Sequence, residues 1–291
     1  MRTMYYLRLP MLIAALSIAA FATGPRASAQ LTISPNGILM KPAQTSGEVE
    51  VRNAGDKAMV VTARLMYAIL RTDSAGAAFK DTIVTGAPDQ RSAVEWMRAF
   101  PRQFTLAPGA SRAVKVLSTP PDSLAEGEWL ARLEIKGRPV DKPAQLEPDT
   151  TQIGVRLNYT YAYSFPAVFH KGVLTTGLDF TSIDARQTDG GPAVMLRLRV
   201  SGNCTYRGTF FATLTPANGG SPTTFELPIV ATVDMDYPLA LPNLEPGTYA
   251  LSLRAATRRR GDSGDHLVTA PAVTKEFSVT LRDKSVTVAA R

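Results

Sequence analysis

Residues 124–135 read LAEGEWLARLEI, and residues 244–255 read LEPGTYALSLRA. In both, a glycine, one further residue and a large aromatic (Gly127 and Trp129; Gly247 and Tyr249) lead out of a turn into an apolar/polar alternation. Alternation at period two puts side chains on opposite faces of a strand, and the glycine gives the turn its backbone freedom. An aromatic that enters a strand and packs back on the preceding turn is the corner of an immunoglobulin-like sandwich. Two such corners, about half a chain apart in 291 residues, predict an all-β protein of two tandem immunoglobulin-like β-sandwich domains.

The segments around the corners agree. LTISPNGILM, GEVEVRN, MVVTARLMYAIL, RQFTL and RAVKVLS precede the first, and LTTGLDFTSI, AVMLRLRVSG, YRGTFFATLTP and TTFELPIVATV precede the second. All are short β-branched and aromatic runs bounded by turn residues, and no window has helical periodicity. Asn53 to Lys57 (NAGDK) reads as a hairpin turn, as does Ala107-Pro108-Gly109, which sets a fixed φ before a permissive one.

Arg2 and Arg8 precede an apolar run over residues 9–23, and Ala27-Ser28-Ala29 supplies small residues before Gln30. This is the pattern of a cleaved secretory signal over residues 1–29; Gly24-Pro25-Arg26 breaks the run short of the 18 to 20 or so residues a membrane span needs. The formal charge is +7, of which Arg2, Arg8 and Arg26 contribute three, leaving 7 − 3 = +4 on the exported part. That mild balance suits solubility better than nucleic-acid binding. The single cysteine, Cys204, rules out an internal disulfide and reads as a small, half-buried strand residue.

A proline-rich loop over residues 137–150 precedes IGVRLNYTYAYSF, residues 153–165. Ile153, Val155, Leu157, Tyr159, Tyr161, Tyr163 and Phe165 share one face, and Arg156 lies on the other. That apolar face either fills its own domain or is lent to a partner. The expected layout is a first domain over residues 30–166, a second over residues 171–281 and a tail over residues 282–291.

ISPNGILMKPAQTSGEVEVRNAGDKAMVVTARL and PRQFTLAPGASRAVKVLSTPPDSLAEGEWLARLEIKG together resemble the N-terminal domain of the periplasmic pilus-assembly (PapD-like) chaperones. The resemblance runs through the Asn-x-x-Asp-Lys turn, the Leu-x-Pro-Gly turn before a basic strand and the aromatic strand, over roughly residues 31–166. It implies a periplasmic chaperone that adds a strand to an exported, pilin-like subunit, in concert with an outer-membrane usher. By the same resemblance the donor residues are Ile153, Val155, Leu157, Tyr159 and Tyr161. Family members grip a subunit carboxylate with an arginine and a lysine; Gly37 and Tyr161 stand at those places, and neither nearby Lys41 nor Arg156 is assigned the role. This chain therefore resembles a divergent branch that lacks the anchor. The other reading is an exported structural or adhesive sandwich protein with no client.

Enzymatic motifs do not emerge. The two histidines, His170 and His266, have no spaced metal-ligand partners, and neither a phosphate loop nor a Gly-x-Ser-x-Gly elbow occurs. No catalytic residue, metal or cofactor is expected. Arg260-Gly261-Asp262 reads as a solvated hairpin tip, and the acceptor triplets at Asn158 and Asn203 count only in a eukaryotic secretory route.

Overall fold

A computed structural model describes residues 31–72, 79–83, 91–140, 160–188, 191–241, 244–257, 268–282 and 285–290. Among these residues there is no helix, and the strands form two sandwiches. In the first, one sheet runs β1 (Leu31–Ser34), β3 (Ser46–Asn53), β9 (Ser111–Ser118), β7 (Met97–Phe100). Its partner sheet runs β2 (Ile38–Met40), β11 (Tyr161–Lys171), β10 (Gly127–Pro139), β4 (Met59–Met66), β8 (Gln103–Leu106). β5 (Ala68–Thr72) and β6 (Phe79–Ile83) form a separate hairpin. In the second sandwich β12 (Thr176–Thr188), β13 (Gly191–Gly202) and β16 (Met235–Ala240) face a sheet ordered β15 (Thr223–Ala231), β14 (Tyr206–Pro216), β17 (Gly247–Ala256), β18 (Val273–Arg282), β19 (Ser285–Ala290).

Sequence alternation decides which face each strand buries. On β3, Val49 and Val51 are buried while Glu48, Glu50 and Arg52 are exposed, and Val49 lies opposite buried Val114 of β9. From the other sheet Met59, Val61, Leu133 and Ile135 meet them, each fully buried and each contributing about 1.5 to 3 kcal/mol. Leu196, Leu198, Phe210, Leu214, Leu251 and Leu253 form the equivalent core of the second sandwich. The Asn53 turn forms as the sequence predicts: its buried side chain donates to the carbonyls of Lys57 (2.8 Å), Leu106 (3.2 Å) and Ala107 (3.2 Å) and accepts from the Gly55 N–H (3.0 Å).

Both corners are built alike. Trp129 Nε1 donates to the Ala125 carbonyl at 3.0 Å and the Tyr249 hydroxyl to the Glu245 carbonyl at 2.7 Å, each four residues back. The glycines differ. Gly127 has φ +138°, and a Cβ there would lie 1.8 Å from Arg91 Nη1 and 2.8 Å from the Asn203 carbonyl of the second sandwich. The Glu128 N–H donates to that same carbonyl at 2.8 Å, so the first corner is also where the two domains touch. Gly247 has no such neighbour; the nearest atoms to a Cβ there belong to Tyr249.

The junction has an apolar part, Tyr67, Ile69, Leu130 and Val168 with Val233 of the second sandwich against them, and a polar part centred on Glu128. Glu128 is 1% exposed and accepts from Arg207 Nη1 (2.8 Å) and Nη2 (3.3 Å), the Thr205 N–H (3.2 Å) and His170 Nε2 (2.9 Å). Burial pushes its carboxyl up, but the His170 and Arg207 bonds, the Arg207 charge and the Thr205 bond together outweigh that and hold it at about 2. Burial, with Glu128 beside it, pushes the Cys204 thiol up to about 12.

Three expectations change. β11 runs through Pro166 to Lys171, so the first sandwich extends past residue 166 and the second starts at Thr176. Proline is tolerated there because β2, the outer neighbour, pairs only from Ala167 onward. The expected tail contains β19, paired with β18 from Phe277↔Ala290 to Arg282↔Ser285. Cys204 is buried as a small apolar residue would be, but in the turn between β13 and β14 rather than on a strand. Ile153, Val155, Leu157, Tyr159, Arg156, His266 and Arg260 to Asp262 lie outside the described residues.

Candidate functional site

The site begins with the register of β10 on β11: Gly137 lies opposite Tyr161, Ile135 opposite Tyr163 and Leu133 opposite Phe165. Phe165 is buried, and half-buried Tyr161 and Tyr163 pack on the same core. The Tyr163 hydroxyl donates to the Leu31 carbonyl at 3.1 Å, fastening β1 across the opening between the sheets. Ala162, Ser164 and Pro166 point outward and are exposed.

On its far side β11 meets β2 only at Ala167↔Ile38, Val168↔Leu39 and Phe169↔Met40. Residues 161–165 therefore have a strand on one side and, among the described residues, none on the other. Alternate residues of such an edge direct N–H and C=O outward, which offers an added strand of similar length on the order of four main-chain bonds at about 1 kcal/mol each. Three edges of the second sandwich are blunted: β15 carries Pro228, β16 carries Pro238, and the β12 register shifts between Phe180 and Ser182.

Charge on the outer face defines what kind of strand fits. Arg132 Nε donates to Ser164 Oγ at 2.8 Å and Nη2 to the Ser164 carbonyl at 2.8 Å. Glu134 pairs with Arg64 and with Lys136 (3.2 Å); burial pushes its carboxyl up, but those two cations outweigh it and hold it below the usual range. A strand laid on this edge meets cations and polar groups on its outer side and tyrosine rings on its inner side. It must alternate polar and apolar residues in the same way.

Gly37 and Tyr161 provide no cationic grip. A Cβ on Gly37 would lie 3.4 Å from Pro166 Cγ, and the Tyr161 ring packs on the protein's own core. Lys41 is exposed beside the bridge it forms with Gln44. Of the expected donor residues only Tyr161 is described, and the structure brings it to the core face. Arg132 was missed by sequence reading because its proximity to Ser164 follows from strand register, 32 residues apart.

No protein-family model and no curated protein matches the chain. Solved structures do. The YadV chaperone is 11% identical with a TM-score of 0.46, over 84% of this chain and 100% of that one. The CsuC–CsuE chaperone–tip subunit pre-assembly complex of Acinetobacter baumannii is 13% identical, TM-score 0.44, over 84% and 98%. The Salmonella enterica SafA pilin in complex with the SafB chaperone is 14% identical, TM-score 0.42, over 84% and 94%. These neighbours are a chaperone and two complexes of a chaperone with a pilus subunit.

Proposed function

We propose that this protein is a periplasmic chaperone that holds an exported, pilin-like subunit by strand addition along β11. The observation that carries this reading is the edge of β11 at residues 161–165, beside which no strand among the described residues pairs, whereas β15, β16 and β12 carry a proline or a bulge on theirs. Export follows from the N-terminal pattern; no described helix is long and apolar enough to cross a membrane. The activity is binding, not catalysis. Ile153, Val155, Leu157 and Tyr159, which share the sequence alternation of Tyr161, are the proposed lent side chains, with an outer-membrane usher as the further partner.

A second reading has its own observation: Tyr161, Tyr163 and Phe165 pack on their own core, as they would in a structural or adhesive sandwich with no client. Co-purification of exported subunits separates the two. Val155→Asp or Leu157→Asp should abolish capture by placing a carboxylate in an apolar groove, with little change in melting temperature, and Arg156→Ala should keep it. Aspartate variants that melt far below the parent, or a parent that captures no subunit, favour the structural reading.

A further inference from the structure

We propose that Glu128, His170 and Cys204 form a site for a thiophilic divalent cation such as Zn2+, clamped between the two sandwiches in competition with Arg207. The three residues come from β10, β11 and the turn before β14, so the ligand set exists only because the domains meet. One ligand atom from each lies within 4.8 Å of the others. A tetrahedral zinc with bonds of about 2.0 to 2.3 Å spaces its ligand atoms about 3.3 to 3.6 Å apart, so the 2.9 Å His170–Glu128 contact would open slightly and the wider pairs close by up to about 1.5 Å. Carboxylate oxygen, imidazole nitrogen and thiolate sulfur are the donors zinc takes, and a fourth position stays open to water.

Charge balance explains how the same pocket serves two states. In the metal-free protein the Glu128 carboxylate is matched by the Arg207 guanidinium. A dication bound to one carboxylate and one thiolate is neutral, so the guanidinium no longer has a charge to match. The Arg207 side chain is 25% exposed and can swing into solvent without crossing the core. Binding moves the thiol proton of Cys204 to solvent, places the imidazole proton of His170 on Nδ1 and frees Nε2 for the metal. The ion then replaces one bond between the sandwiches with another, with Cys204 now a ligand.

The test uses the full exported protein, stripped with a chelator and titrated with Co2+ and with Zn2+. One equivalent of Co2+ should produce sulfur-to-cobalt charge-transfer absorption, which only Cys204 among the residues of this chain can supply as a thiolate, and Zn2+ should abolish it. Cys204→Ser should remove the band, and it and His170→Asn should each weaken Zn2+ binding about tenfold or more. Arg207→Met, which takes away the competing cation, should tighten it. The band in the parent decides the matter whether or not a variant folds. Its absence, its persistence in Cys204→Ser, or Arg207→Met binding no tighter than the parent overturns the proposal.

Discussion

Replacing Glu128 by glutamine keeps the shape of the junction and removes its charge. The carboxyl sits at about 2 against an ordinary 4.5. That difference, at about 1.4 kcal/mol per unit, corresponds to about 3 kcal/mol of stability, in the range expected for breaking a buried ion pair. Because the folded value is depressed, the contribution is fully present above pH 4.5 and is lost as pH falls toward 2. Urea unfolding in the presence of a chelator, followed by the fluorescence of Trp96 and Trp129, should put Glu128→Gln about 3 kcal/mol below the parent at pH 7. The gap should shrink by more than half at pH 3, since the parent's carboxyl must then be protonated in the unfolded chain while the variant has nothing to lose. A gap that stays constant between pH 7 and pH 3, or no gap at all, refutes the assignment of Glu128 as the charged hub of the junction.

The corners give a second test: Tyr249→Ala, at a buried ring, should cost about 3 kcal/mol or more and Trp129→Ala, at a half-buried one, less, each loosening its own sandwich first, read as selective proteolysis of that half. The Trp129 substitution should loosen the first sandwich beyond its corner, because the ring packs edge-on against Trp96 at 6.4 Å, which in turn meets Phe169 at 5.4 Å in the same core. Asn53→Ala strips the carbonyls of Lys57, Leu106 and Ala107 of their donor and should lower stability by about 2 to 4 kcal/mol in chemical denaturation.

Local patterns made the two sandwiches legible. The i−4 back-bonds of Trp129 and Tyr249, the Asn53 bonds to Gly55 and Lys57 and the valine alternation of β3 all act within a few residues of themselves, so period and turn chemistry announce them. The junction was not legible, since Glu128 reaches His170 across 42 positions and Arg207 across 79, and none of them sits in a motif. Pro166 misled because a proline ends a central strand yet is harmless where the outer neighbour has not begun. β19 was missed because SVTVAA is short and terminal, and only its pairing with β18 makes it a strand. Within the candidate site, parity correctly placed Tyr161 and Phe165 on one face; which body that face packs on was a tertiary fact.

Hydrogen exchange of the β11 amides, with and without a co-expressed exported subunit, tests the central claim most directly. An added strand must bond the outward N–H groups of residues 161–165, so those amides should gain protection in the complex while residues 167–169, already beside β2, change little. A captured subunit that leaves residues 161–165 exchanging as fast as in the free protein would contradict strand addition at this edge.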